Sequence, residues 1–184
     1  MEPYHHFIEG SGIYLREVRL SDVNENYYQW LNDPEINQFL ETRFLPQSMH
    51  NIEEFVRSKD GNSNEILLAI CDKTSSKHIG NIKVGPINWI HRYADVSLLI
   101  GDKAFWGKGI ATEAIQLVSH FSFNVLNLHK LKAGCYEKNV GSMKAFEKAG
   151  FEKEGLLKKL WMLNGTFQDQ VLLGLCAEDF HPLK

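Results

Sequence analysis

A chain of 184 residues with 43% hydrophobic content is long enough for one domain, 1–184, with a substantial core. Its net charge of −3 arises from basic and acidic residues mixed throughout, with no basic stripe or block, which argues against nucleic acid and membrane surfaces as partners. The N-terminal M-E-P-Y-H-H-F has neither a basic start nor an apolar run, and no stretch approaches membrane-spanning length, so a cytoplasmic location is expected.

From Ile13 to Val18 the run I-Y-L-R-E-V alternates roughly as a first strand. Ser21 is placed to cap a helix with Val23, Tyr27, Trp30 and Leu31 on one face, ended by Asp33-Pro34 because the residue before proline avoids the helical region. A second short helix is expected around Glu35 to Leu40. Ser48 caps a third, with Met49, Ile52, Phe55 and Val56 facing inward. Between these helices F-L-E-T-R-F, Phe39 to Phe44, sets Glu41 and Arg43 among aromatics. Ile66 to Cys71 is continuously apolar and reads as a strand buried on both faces. After the polar turn Lys73 to Lys77, Ile79 to Val84 returns as its hairpin partner and ends at Gly85-Pro86. The loop P-I-N-W-I-H-R, Pro86 to Arg92, leads into a central strand.

That strand opens the most informative stretch, A-D-V-S-L-L-I-G-D-K-A-F-W-G-K-G-I-A-T-E-A from Ala94 to Ala114. The apolar run Val96 to Ile100 is followed by the turn Trp106-Gly107-Lys108-Gly109 and then by helical spacing. Glycines let backbone N–H groups crowd a ligand, and the free N–H groups and dipole of a helix N-terminus favour an anion such as phosphate. A nucleoside-triphosphate loop fails twice on spacing, since Asp102 stands where its first Gly belongs and Gly109 where its hydroxyl belongs. A dinucleotide fingerprint lacks its third Gly, which Thr112 replaces. A coenzyme A pyrophosphate site and an ordinary strand-to-helix turn remain.

Ile110, Ala114, Leu117, Val118 and Phe121 then form a helical apolar stripe, with Glu113, Gln116 and His120 outside. Leu131 to Tyr136 is the next strand. Asn139 caps a helix whose inner face carries Val140, Met143 and Phe146, and Gly150 with Phe151 closes it. Leu156 to Leu163 and Thr166 to Leu175 flank Asn164-Gly165, the strongest short hairpin signal. Cys71, Cys135 and Cys176 show no metal-ligand spacing and read as reduced core thiols. The histidines are scattered, His5-His6 falling in an N-terminus expected to fray, so no metal is expected.

W-G-K-G-I-A, Trp106 to Ala111, resembles the Q/R-x-x-G-x-G/A loop of the GNAT superfamily of N-acetyltransferases, with Trp106 in place of the usual Gln or Arg. The stretch N-V-G-S followed by E-K-A-G-F, Asn139 to Phe151, resembles a second pattern of that family, in the right order. W-L-N-D-P-E-I, A-D-V-S-L-L-I and G-T-F-Q-D-Q-V look most like the branch that includes the RimJ/RimL-type ribosomal-protein N-terminal acetyltransferases and the spermidine acetyltransferases. The resemblance covers nearly the whole chain. It implies an α/β (α+β) GNAT fold, a mixed central sheet of about seven strands flanked by helices, in the order β-α-α-β-β-β-α-β-α-β-β.

It also implies acetyl-CoA as cosubstrate, no metal, and direct attack of a primary amine on the thioester. Backbone groups of Leu98, Leu99 and Ile100 are implied to bind the pantetheine arm. Trp106, Gly107, Lys108, Gly109, Ile110, Ala111 and Thr112 are implied to hold the pyrophosphate, and Asn139 and Ser142 to complete the cofactor site. An alkylammonium pKa near 10 puts about 4 kcal/mol at stake in reaching the free amine at neutral pH, so a carboxylate acting through water is wanted. Asp95 at the start of the central strand and Glu41 are the candidates, although strand-end acids are also commonly solvated or paired. Protonating a thiolate of pKa about 8.5 is worth only about 2 kcal/mol at pH 7. The family's usual acid is a Tyr, replaced here by Phe146, so Ser142 or water is expected to serve; Ser142 also fits as a solvated residue of a first helical turn. Arg43 is expected to pair with Glu41 or to hold an anionic part of the acceptor. Trp89 and Tyr93 would form an aromatic cleft wall or core packing. The acceptor is expected to be a protein N-terminal amine or an amino group of a sugar nucleotide, with a polyamine or a non-catalytic acyl-CoA-binding module as alternatives. A homodimer is compatible with this reading.

Overall fold

The computed structural model describes residues 5–181. A two-residue strand β1 (Ile8–Glu9) and β2 (Ile13–Glu17) open the sheet, and β3 (Ile66–Asp72), β4 (His78–Asn88) and β5 (Tyr93–Ile100) continue it as a meander. Strands β6 (Lys130–Tyr136), β7 (Glu152–Leu163) and β8 (Thr166–Cys176) complete one eight-stranded sheet in the order β1-β2-β3-β4-β5-β6-β8-β7. Every pairing is antiparallel except β5 with β6. The strand beyond the expected seven is β1, too short to show an alternation. It is held by Phe7 N–H donating to the Leu15 carbonyl, and His6 stacks on Tyr14 at 3.7 Å, so the chain is ordered where fraying was expected.

One face of the sheet packs on α4 (Ile110–Asn124) and α5 (Val140–Lys148), where Ala94, Val96, Leu131, Ala133, Ile115, Val118 and Phe146 share a core. The other carries α1 (Glu25–Asn32) and α3 (Met49–Arg57), whose Tyr27, Trp30, Ile52 and Val56 pack with Leu99 in a smaller core, and the one-turn α2 (Pro34–Asn37). Alternation along β5 therefore sends Leu98 and Leu99 to opposite sides. Cys71, Cys135 and Cys176 are free thiols, the first two buried.

Several local expectations change. Ser21 does not cap α1. Both Asp22 oxygens are held 2.7 Å from the Arg16 guanidinium, which pulls Leu20–Asp22 into a single 3-10 turn, and Asn24 caps the helix instead by accepting from Asn26 and Tyr27 N–H. The second helix is only Pro34–Asn37, because Asn37 turns its amide back to the Leu31 carbonyl at 2.8 Å. Of the predicted inner face of α3, Ile52 and Val56 are buried, while Met49 and Phe55 are exposed. Strand β4 runs on past Gly85-Pro86 through a register irregularity between Val84 and Ile87, and the Ile87 N–H finds Asn64 O at 2.8 Å. In α4, Gln116 is buried rather than outside, on the side of the helix that also carries Phe123, against which Phe180 packs. Val140 is exposed at the start of α5, and Ala145, Phe146 and Ala149 form its buried line.

Candidate active site where two strands part

Strands β5 and β6 pair only through Tyr93–Lys130, Ala94–Leu131 and Asp95–Lys132. Beyond Asp95, β5 stays paired to β4 and β6 stays paired to β8, so the two strands part and leave a slot across the sheet. Backbone groups of Val96 to Ile100 on the slot side have no strand partner. Such groups seek hydrogen bonds, and an extended ligand can supply them as an added strand would. Leu98, Leu99 and Ile100 are accordingly half-buried in the middle of the sheet.

At the open end of the slot the chain turns into α4. The Gly101 and Asp102 amides both donate to Ile79 O, at 2.9 and 3.1 Å, and Asp102 Oδ1 accepts from Ala104 N–H at 2.9 Å, fixing the turn Lys103–Phe105. Trp106, exposed at its ring, donates its indole N–H to Ile100 O at 2.8 Å. The side chain that replaces the usual polar residue thus latches the loop to the strand. Gly107 and Gly109 have φ of 72° and 82°, the left-handed region that glycine enters without strain. A Cβ built on either meets nothing within 4 Å, so open space lies before the helix. Gly109 caps α4 without a side chain, leaving the first-turn N–H groups of Ile110, Ala111 and Thr112 for an anion. The Lys108 ammonium lies 5.4 Å from the Phe105 ring centroid beside this space.

Alternation along β6 divides the predicted residues between the two faces. On the α5 side, Ser142 Oγ lies 3.3 Å from Cys135 Sγ, and its N–H is capped by Asn139 Oδ1 at 3.1 Å. Burial pushes the Cys135 thiol above its usual pKa, against the bond from Ser142, so this pair is neutral. Phe146 is buried edge-on against Phe151 and offers no proton.

On the opposite side Asp95 Oδ2 lies 3.4 Å from Lys132 Nζ, which sits 4.6 Å over the Tyr93 ring. Exposed Ser97 and Gly134 flank the opening itself. Glu41 and Arg43 lie in the 3-10 turn Glu41–Phe44 and meet Tyr136 from β6. The Tyr136 hydroxyl donates to Glu41 Oε1 at 2.7 Å and accepts from Arg43 Nη2 at 2.8 Å. Arg43 also donates to Leu40 O and Met162 O, both at 2.6 Å, so its fork is committed within the protein. Burial, and then the bond to Glu41, raise the Tyr136 pKa, with Arg43 opposing, so the hydroxyl stays protonated. Trp89 stands apart at the β4–β5 turn, half exposed, with its indole bonded to Asn64 Oδ1 at 2.9 Å.

Tyr136 is the residue that sequence reasoning passed over. Its signal was present in K-L-K-A-G-C-Y: Leu131, Ala133 and Cys135 make an apolar face, and the alternate face, Lys132, Gly134 and Tyr136, carries a polar tip. Among the described residues no group of His, Cys, Asp and Glu could hold a metal, and no helix is long and apolar enough to cross a membrane.

A family model described as Acetyltransferase (GNAT) domain matches residues 13–152. The probable N-acetyltransferase YjcK of Bacillus subtilis is 33% identical over 94% of this chain and 98% of its own length. A spermidine N(1)-acetyltransferase of Vibrio cholerae is 30% identical over 67% of this chain and 70% of its own. The crystal structure of spermidine N-acetyltransferase from Vibrio cholerae in complex with CoA and spermine superposes with a TM-score of 0.82 at 25% identity, covering 91% of this chain and 97% of that one.

Proposed function

Because this chain belongs to the GNAT acetyltransferase family, we propose that it transfers the acetyl group of acetyl-CoA to a primary amine by direct attack. The parting of β5 from β6 above a glycine turn and a free helix N-terminus carries this reading. The pantetheine arm would run along Leu98–Ile100 as an added strand, and the pyrophosphate would lie against Trp106–Thr112. A backbone N–H of β5 would polarise the thioester carbonyl, acting on charge that develops only in the transition state.

The acid and the base act from opposite faces. Ser142, on the α5 side, protonates the leaving thiolate. Asp95 or Glu41, on the other, takes the proton of the attacking amine through water. The acceptor is a protein N-terminal amine or an amino group of a sugar nucleotide, the former in line with the RimJ/RimL-type members of the branch that the motifs resemble. A polyamine is the second reading, favoured by the spermidine acetyltransferases among the relatives. The surface available to a homodimer is the outer edge of β7, where Leu156, Leu157 and Leu160 are exposed.

The test is thiol release from acetyl-CoA with peptides, aminosugar nucleotides and polyamines. Turnover on one class is expected, with Glu41→Gln or Asp95→Asn abolishing it. Ser142→Ala should lower kcat by up to about 30-fold, the equivalent of about 2 kcal/mol of leaving-group assistance. An unchanged rate in Ser142→Ala would remove the acid assignment and leave the base. Tight CoA binding with no turnover on any amine would favour a binding module.

A further inference from the structure

Strand β4 presents Lys83 directly opposite Ser97 of β5, on the same face as Asp95 and Tyr136. Lys83 Nζ lies 3.0 Å from Glu65 Oε1, and the other oxygen of Glu65 is held by Lys59. The Lys59 and Lys83 side chains are only 15% and 25% exposed. Two largely desolvated ammonium groups thus share one carboxylate, and the cluster keeps a surplus of one positive charge. Bonds from both lysines hold the Glu65 pKa below its usual value, so the carboxylate stays ionised and the surplus is one charge rather than two.

The other carboxylates of this face are already engaged, Asp95 by Lys132 at 3.4 Å and Glu41 by the Tyr136 hydroxyl at 2.7 Å. With Arg43 3.8 Å from Glu41, the groups named on this face are four cations against three carboxylates, so a polycation entering here meets a net positive charge. An anion meets a half-buried charge whose desolvation it can offset. Resting on the acetyl-transfer reading above, we propose that Lys83 is a specificity residue that binds an anionic group, carboxylate or phosphate, carried by the acceptor amine. Neighbouring strands lie about 4.8 Å apart and rise about 3.3 Å per residue. Lys83 is one strand from Ser97, and Ser97 is two residues beyond the last β5–β6 pair, so the backbone of Lys83 lies within roughly 10 Å of the parting where the thioester would sit. That span fits a small molecule such as an amino acid or an aminosugar phosphate.

Initial rates of thiol release with matched acceptors test this: glucosamine against glucosamine 6-phosphate, alaninamide against alanine, and spermidine alone. The anionic member of at least one pair should have a kcat/KM about tenfold or more above its neutral partner, and the two pairs distinguish phosphate from carboxylate. Lys83→Met should raise KM for the anionic acceptor about tenfold, with a smaller effect on the neutral one and the KM for acetyl-CoA held. Glu65→Gln, which enlarges the positive surplus, should lower KM for the same acceptor. It keeps the question decidable if Lys83→Met fails to fold. Preference for spermidine or for both neutral members overturns the inference and leaves acetyl transfer standing. Failure to acetylate any amine, with acetyl-CoA still bound in calorimetry, overturns the acetyl-transfer reading and this inference with it.

Discussion

Arg43→Met replaces the guanidinium that ties the Glu41–Phe44 turn to the sheet with an apolar chain of similar length. Arg43 donates to Leu40 O and Met162 O at 2.6 Å and to the Tyr136 hydroxyl at 2.8 Å, and its side chain is 12% exposed. Water therefore replaces the lost donors poorly. A hydrogen bond from a charged group is worth about 1.5–3 kcal/mol net, but three from one fork are not additive. Leu40 stands at a solvated rim, so a total of about 3 kcal/mol is expected. In a chain of this size each kcal/mol moves Tm by about 2–4 °C, giving a drop of about 6–12 °C. Arg43→Lys keeps the charge but not the fork, and should recover less than half of the loss. The KM for the acceptor should rise in both variants while that for acetyl-CoA holds, because the glycine loop is anchored separately through Ile79 and Ile100. Thermal unfolding followed by circular dichroism, with steady-state kinetics at a permissive temperature, reads both effects. A Tm change below 2 °C would refute the claim that Arg43 is a structural tie and return it to the role of a free ligand for an anionic acceptor.

Gly109→Ala places a Cβ at φ 82°, at a strain of about 1 kcal/mol, and in the open space before α4. A KM for acetyl-CoA raised about tenfold, with Tm lowered by only a few degrees, is the outcome expected from kinetics and melting together. Trp106→Phe removes the indole bond to Ile100 O and should cost about 1 kcal/mol of stability by urea denaturation, with a raised KM for acetyl-CoA and an unchanged acceptor KM. His78 supplies a pH signature. Burial pushes its imidazole below 6.5, against the pull of Asp22 at 3.9 Å and of Asn81. The unfolded chain then binds the proton more readily than the folded one, so stability is full above pH 6.5 and is lost as pH falls below it, at up to about 1.4 kcal/mol per pH unit. Urea midpoints between pH 5 and 8 should show this slope, and His78→Gln should flatten it.

Elements specified by adjacent residues were legible in the sequence. Ser48 and Asn139 cap their helices as read, accepting from Asn51 and Ser142 N–H, and Asn164-Gly165 turns the last hairpin with both φ values positive. The glycine loop and its helix start were equally plain, since backbone conformation and free amides are local properties. What failed were boundaries decided by distant partners. Ser21 lost its helix because Asp22 answers to Arg16 of β2, and Gln116 is buried on the side of α4 where Phe180, near the end of the chain, packs on Phe123. Periodicity weighs one helix at a time and carries no information about a second covering layer.

The site divides along the same line. The proposed cofactor side lies in one contiguous stretch, residues 94–114, so motif spacing could point to it. The proposed acceptor side joins Glu41 to Tyr136, 95 positions apart, and Lys83 to Glu65 and Lys59, on elements whose individual patterns read as turn, strand and helix end. Only the register connects them. Asp95 pairs with Lys132, Ser97 lies opposite Lys83, and β6 loses β5 and keeps β8 as its sole neighbour where the slot opens. A strand slipped by one residue would exchange the faces, sending Tyr136 into the α5 core and Cys135 toward Glu41. On the proposed reading, acceptor chemistry depends on strand register, and single substitutions that preserve register, such as those at Lys83 and Glu65, are the ones expected to alter specificity without dismantling the slot.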